Sequence, residues 1–226
     1  MNSIRVISTG DGSHSLMRED IQETYHSVHG ALRESTHVFI QHGLIHFQNQ
    51  YPGKPVRVLE VGFGTGLNAL LSFHHARQTG LSIHFESWEK YPLPAGLVFS
   101  LNYGELLGEA ALFKALHEAT WNEEVSIQPT CTLCKKEGNV LSDPMTGLFD
   151  LVFYDAFAPS KQPEMWTVEV LKKITDMLTA GGAWVSYCAK GQVKRDLAAL
   201  GLVVESLPGP PGKKEMTRAS RPIGIE

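Results

Sequence analysis

The sequence predicts an α/β fold: a mostly parallel, seven-stranded sheet with helices on both faces, ending in an antiparallel hairpin. Three observations predict it. From residue 56 onward, short apolar runs alternate with stretches of helical spacing, the pattern of a parallel sheet covered on both sides. Three glycines, Gly62, Gly64 and Gly66, follow directly on the first of these runs, where the carboxyl end of a strand in such a sheet meets its ligand. The last two runs are joined only by Pro208-Gly-Pro-Pro-Gly212. Parallel neighbours need a crossover of a dozen or more residues, so this pair must be antiparallel. Together these features describe a Rossmann-like architecture.

Val56–Val61 is a short, buried strand. Residues 67–79 have helical spacing and stop at Gly80, a residue suited to the left-handed turn after a helix. Residues 81–88 alternate and form a second strand. Pro92 and Pro94 mark a helix entry, and helical patterns continue to about Glu118. Residues 125–133 are a weaker third strand, and residues 149–154 a strongly apolar fourth. Residues 163–178 are helical and end at Gly181-Gly182; residues 183–188 are a fifth strand, followed by a helix to Gly201. Residues 202–207 and 215–220 make the closing pair. Residues 56–226 are thus the main domain. Residues 1–55 lack this rhythm and are expected to be an N-terminal extension packed on it. They hold an Asp11-Gly12 turn, an unusual Tyr25-His-Ser-Val-His29-Gly30 cluster and a closing turn at residues 51–55.

A length of 226 residues suits one domain. No run approaches the roughly 20 apolar residues of a membrane span, and residues 1–10 lack a signal peptide's apolar region; a cytoplasmic protein is expected. The formal net charge of −4 argues against a surface coated for sequence-blind nucleic-acid binding. It leaves room for local basic patches at Lys190, Lys194 and Arg195 and at Lys213, Lys214 and Arg218 with Arg221. Three cysteines make no disulfide framework. Cys131 and Cys134 lack the second pair that a structural zinc site needs; they are read as ordinary thiols, and no metal is expected.

The glycine loop reads Glu60-Val-Gly-Phe-Gly-Thr-Gly66. In the dinucleotide fingerprint the third glycine would fall on Leu67. Here an acid ends the strand instead, and a carboxylate repels a pyrophosphate. It suits S-adenosylmethionine (AdoMet), which carries a cationic amino group and no phosphate. Glu89 lies about twenty residues further on, the position of a ribose-binding carboxylate, and can accept two hydroxyl hydrogen bonds. Glu86 competes for that role, but strand alternation turns it toward a face. The cofactor loop and hairpin together predict an AdoMet-dependent methyltransferase.

Asp155 and Phe157 follow the fourth strand, beside the glycine loop. Methyl transfer depends chiefly on alignment of nucleophile and donor. Asp155 is positioned to hold an amine's N–H groups and take its proton, and Phe157 to stack on a planar base. The alternative for these residues is a capped turn and a core ring.

At this point four segments are recognisable: residues 25–39, beginning Tyr-His-Ser-Val-His-Gly-Ala; Glu60 to Asn68; Trp88-Glu-Lys-Tyr-Pro-Leu93; and Asp155-Ala-Phe-Ala-Pro-Ser-Lys161 continuing to Trp166. A weaker fifth is Gly212-Lys-Lys-Glu-Met216. The chain resembles the methyltransferase domain of the bacterial MnmC family, which completes 5-methylaminomethyl-2-thiouridine at the tRNA wobble position. The resemblance implies that Glu60, Gly62, Phe63, Gly64, Thr65, Gly66, Asn68 and Glu89 hold AdoMet, with Tyr25, His26 and His29 near the cofactor's mouth and Asp155 at the aminomethyl group. It assigns His29 and Phe157 to the substrate side. It also sets Lys161, Lys213, Lys214 and Arg218 against phosphates of a tRNA anticodon stem-loop. Two departures matter. The bifunctional members carry an FAD-dependent oxidase domain, which this chain is too short to hold; a stand-alone form without FAD is expected, with separate enzymes supplying the 5-aminomethyl or carboxymethylaminomethyl precursor. The family's Gly-Asp after the third strand is not found within residues 129–136, so no adenine-binding side chain is assigned. A small-molecule methyltransferase or aminopropyltransferase on the same fold is the alternative reading.

Overall fold

A computed structural model describes residues 4–224. Residues 1–3 and 225–226, including the first residues of the start read above for a leader, lie outside the described residues. The N-terminal region forms a small antiparallel sheet of β1 (Ile4–Ser8), β2 (His14–Arg18) and β3 (Glu23–Thr24). Asp11-Gly12 forms the expected turn between the first two, with Asp11 accepting from the Ser13 N–H at 3.1 Å. A continuous helical segment follows: α1 (Ala31–Ser35), a π-helical stretch (Thr36–Ile45) and α2 (His46–Gln50). It lies tight on the main sheet because Gly43 has no side chain. A Cβ there would stand 3.1 Å from Phe153 and 3.2 Å from Val185.

The main sheet comprises β4 (Val56–Val61), β5 (Ile83–Glu89), β6 (Glu124–Gln128), β7 (Cys131–Glu137), β8 (Phe149–Tyr154), β9 (Leu178–Ser186), β10 (Val203–Pro208) and β11 (Glu215–Ser220). Its order is β10-β11-β9-β8-β4-β5-β7-β6. The five central strands run parallel, and β11 joins them antiparallel through β9. Two apolar layers sandwich the sheet. Leu151 and Phe153 face the layer of α3 (Leu67–Thr79) and the 31–50 helix, while Val152 and Tyr154 face the layer of α7 (Val168–Thr175) and α8 (Gly191–Ala199). This alternation is the two-residue period of a strand buried on both sides, and every residue of β8 is buried.

Three expectations need correction. The third strand is two: Pro129 and Thr130 form a tight turn, and β6 folds back antiparallel on β7. Proline lacks an N–H and pre-sets a turn, so the seven expected strands gain an eighth at the edge. The helix expected over 163–178 is a 3-10 turn (Pro163–Trp166) followed by α7, which Thr167 caps from its side chain. Gly181 and Gly182 do not end that helix; they lie within β9, their backbones hydrogen-bonded to Arg221. The stretch after Pro94 is three short helices, α4 (Ala95–Val98), α5 (Tyr103–Leu106) and α6 (Ala110–Glu118). Cys131 and Cys134 sit in β7 itself, both buried and free. Among the described residues no helix is long and apolar enough to cross a membrane.

Candidate active site

The carboxyl ends of β4, β5, β7 and β8 open on a cavity of about 610 Å³. The glycine loop forms its floor. Gly62, Gly64 and Gly66 have φ of 95°, 49° and 72°, the left-handed region that costs other residues roughly 1–2 kcal/mol. All three are also crowded, and a Cβ on Gly66 would stand 2.9 Å from the His117 ring. A Cβ on Gly62 would meet the Asp155 carbonyl oxygen at 3.0 Å, and one on Gly64 the Tyr25 ring at 3.2 Å. The turns after β4 and β8 therefore touch, as the sequence requires of a shared site.

Glu89 ends β5 at the cavity wall. Its carboxylate accepts the Gly64 N–H at 3.0 Å and the Tyr91 N–H at 2.8 Å. Each oxygen keeps further lone pairs for ribose hydroxyls. Glu86 instead accepts from the Trp88 indole at 2.7 Å and does not line the cavity. Phe63, Thr65 and Asn68 also form walls. His26 lies on the same wall and holds Thr65, its Nε2 2.7 Å from the Thr65 hydroxyl. Burial pushes His26 down to about 4, so it packs as a neutral ring.

Glu60 is placed differently from a direct ligand. It is fully buried beneath the loop and is not on the cavity wall. Ser87 donates to its Oε2, and burial raises its carboxyl well above the usual range. Two buried acceptors, Glu60 Oε1 and Asn68 Oδ1, have no protein partner. The orphaned Asn68 acceptor, on the cavity wall beside the glycine cradle, fits a ligand with amino or hydroxyl groups, and the carboxylates of Glu34, Glu89 and Asp155 on the walls disfavour a phosphate. The residues present fit AdoMet.

Asp155 stands where the cavity leaves the loop. The Asn68 amide donates to its Oδ2 at 2.8 Å. Burial pushes its carboxyl up to about 7; Glu34 adds to the rise, while the Asn68 hydrogen bond and Lys213 oppose it. Tyr25 meets Phe157 edge-on, ring centroids 5.1 Å apart, and the Arg18 guanidinium lies 5.8 Å over the Phe157 ring. Both rings line the cavity.

The substrate-side cations separate. Lys213 reaches the cavity wall, held by an ion pair to buried Glu34. Lys161 is exposed, donating to the Ile21 carbonyl at 2.9 Å, and Lys214 is exposed. Arg218 is 8% exposed and makes a fork to Glu205 at 2.8 and 3.0 Å, which leaves little of it for a phosphate. Lys194 is held by Glu215 and Ser206. His29 is exposed and packs on Gly212 rather than lining the cavity.

Sequence reasoning missed several wall residues. Gly138 and Asn139 follow β7 and line the cavity. The strand runs to Glu137, so the glycine-led turn after it, Gly138-Asn139, lies just beyond residues 129–136 and carries an asparagine where the family has an aspartate. Glu34 and Tyr187 also line the cavity. Nothing in the local pattern marked Tyr187, and Glu34 looked like any helix-surface acid.

Comparisons with known proteins agree with this geometry. A family model described as S-adenosyl-L-methionine-dependent methyltransferase matches residues 117–222. The tRNA 5-methylaminomethyl-2-thiouridine biosynthesis bifunctional protein MnmC of Chromobacterium violaceum is 30% identical over 207 residues, covering 86% of this chain and 31% of that protein. The protein of the same name from Pseudomonas syringae pv. tomato is 33% identical over 217 residues, covering 89% and 32%. The chain thus spans about a third of the length of these relatives. The crystal structure of MnmC2 from Aquifex aeolicus superposes with a TM-score of 0.80 at 28% identity, covering 99% of this chain and 73% of that one. With a cavity on the glycine loop whose lining fits AdoMet, the Asp155 carboxylate on its wall and these relatives, the chain belongs to the MnmC methyltransferases, and its cofactor is S-adenosylmethionine.

Proposed function

We propose that this chain methylates the amino nitrogen of a 5-aminomethyl group on the wobble uridine of tRNA, giving 5-methylaminomethyl-uridine or its 2-thio form. Bound AdoMet supplies a methyl group on a sulfonium, ready for in-line displacement. Glu89 would hold the ribose hydroxyls, and the backbone of Gly62 to Gly66 would leave room for the donor. Gly138 and Asn139, on the cavity wall after β7, would lie beside the adenine. Tyr25 and Phe157 flank the entrance for a planar base, and Arg18 covers Phe157.

The observation that carries this reading is Asp155: a carboxylate near neutrality, pinned by Asn68 at the junction of the two turns. An amine attacks only when neutral. A base poised near the working pH takes the proton while Asn68 keeps its oxygen aimed, a contribution of about 10²–10⁴-fold. The nitrogen's lone pair forms the new bond to carbon, the carbon–sulfur bond breaks, and the amine proton passes to Asp155. Relatives named for the tRNA modification support this acceptor over a small-molecule methyl or aminopropyl acceptor. Exposed Lys161 and Lys214 are proposed to meet phosphates of the anticodon stem-loop, and separate enzymes to supply the aminomethyl or carboxymethylaminomethyl precursor in the cytoplasm.

The test is incubation with AdoMet and tRNA bearing 5-aminomethyluridine, followed by nucleoside mass analysis. Gain of one methyl at that nucleoside is expected. Asp155→Ala should keep AdoMet binding and lose at least about 100-fold in turnover. Unchanged turnover in that variant would remove Asp155 from the mechanism.

A further inference from the structure

The wall facing Asp155 already holds an ammonium group. Glu34 is 5% exposed and lines the cavity. Its Oε2 accepts the Ser27 N–H at 2.7 Å, and its Oε1 accepts from Lys213 Nζ. The same Nζ lies 3.8 Å from the centroid of the Tyr187 ring. Tyr187 is itself fixed, its hydroxyl donating to the Ala156 carbonyl at 2.8 Å, one residue beyond Asp155. A carboxylate below, a ring face beside and a second carboxylate within electrostatic reach make a box for a primary ammonium. Lys213 contributes only the tip of a long, flexible side chain to that box. Its backbone belongs to the loop between β10 and β11, whose Pro211, Gly212 and Lys214 are exposed, so the lysine enters from the solvent side.

Resting on the aminomethyl-uridine reading above, we propose that Lys213 is a built-in stand-in for the acceptor's amine: the substrate's aminomethyl ammonium displaces it from Glu34 and Tyr187, and the freed lysine turns outward to a tRNA phosphate. The exchange keeps the buried Glu34 carboxylate paired throughout, since an unpaired buried charge is costly. It places the acceptor nitrogen as a cation beside Asp155, which then takes its proton. It also makes Glu34 and Tyr187 the residues that select a primary ammonium over a neutral substituent. An acceptor without phosphates must evict Lys213 with nothing gained outside, which favours whole tRNA over free nucleoside.

Three measurements test this. With 5-aminomethyluridine nucleoside as acceptor, Lys213→Met should raise kcat/KM by about tenfold, because the competing cation is gone. With whole tRNA the same variant should gain nothing or lose activity. Glu34→Gln should raise KM for both acceptors by about tenfold or more. A lysine that only braces the loop predicts lower nucleoside activity in Lys213→Met, and that result would overturn the proposal. The third measurement does not depend on turnover. Ethylammonium chloride should raise the melting temperature of Lys213→Ala above that seen in sodium chloride of equal ionic strength. It should do so less in wild type and in the Glu34→Gln/Lys213→Ala double variant. Equal shifts in all three proteins would refute the ammonium box even if the kinetic variants folded poorly. Wild-type methylation of 5-aminomethyluridine tRNA is scored alongside. Its absence would sink the functional reading, whereas its presence with equal ethylammonium shifts would sink only the stand-in role of Lys213.

Discussion

Asp155→Asn should make the protein's stability less sensitive to pH between about 5 and 8 and, if the proposed base role holds, lower turnover by at least about 100-fold. In the folded chain burial holds the Asp155 carboxyl at about 7, against an ordinary value of 3.8. Between those values the folded state keeps a proton that the unfolded state has released. Stability from this group is therefore full below the unfolded value and is lost as pH rises through about 7. Linkage over pH 5 to 8 gives a loss of about 2.5 kcal/mol, a ceiling because the cavity lets water reach one side of the carboxylate. Asparagine fills the same space, can still accept the Asn68 amide hydrogen bond and carries no charge. Asp155 also presses electrostatically on buried Glu60, so the substitution relieves both groups in the same direction. Urea unfolding at pH 5 and pH 8 measures the effect. The wild-type midpoint should fall by up to about 1 M more than the variant's over that interval. Parallel declines in the two proteins would show that Asp155 is already ionised at low pH, and the argument for a neutral-range base would fail.

Other outcomes follow from the same geometry. Glu89→Ala should weaken S-adenosylhomocysteine binding roughly 10- to 100-fold by calorimetry, since both the ribose acceptor and the Gly64 N–H partner are lost; unchanged affinity would place the ribose elsewhere. Gly64→Ala puts a side chain at φ 49° and 3.2 Å from Tyr25, and should lower cofactor affinity along with about 1 kcal/mol or more of stability, checked by calorimetry and thermal melting. His26→Ala should cost about 1–3 kcal/mol at pH 7 by removing the buried contact to Thr65. Because His26 is held down to about 4 from 6.5, its site loses stability as pH falls below 6.5, and the variant should lack that part of the acid decline in urea titrations. Arg218→Ala should reduce stability and leave the salt dependence of tRNA binding unchanged, whereas Lys161→Ala with Lys214→Ala should flatten that dependence; the reverse pattern would free Arg218 for the phosphate role.

Where the sequence carries strong local punctuation, its reading and the structure coincide. β4, α3, β8 and β11 fall at the expected residues because glycine, an aspartate-led turn or a dense apolar run bounds each. The glycine loop and Asp155 were legible together, since consecutive strand ends of a parallel sheet must share one edge. The rest depends on pairings that local pattern does not encode. Gly181-Gly182 looked like a helix stop because their backbone partner, Arg221, lies 40 residues away in a different element. Arg218 looked like a free cation until the hairpin register set it opposite Glu205. Glu34 had no visible role because the lysine that pairs with it comes from the far end of the chain. Asn139 was passed over because the predicted strand stopped before β7 does.

AdoMet is expected to lie across the Gly62–Gly66 loop with its sulfur facing Asp155. A crystal structure with S-adenosylhomocysteine tests it most directly. Ribose hydroxyls are expected on Glu89, the adenine's edge near Gly138-Asn139 and the sulfur turned toward the Asp155 carboxylate. A ligand bound outside this cavity, or one with its sulfur turned away from Asp155, would contradict it.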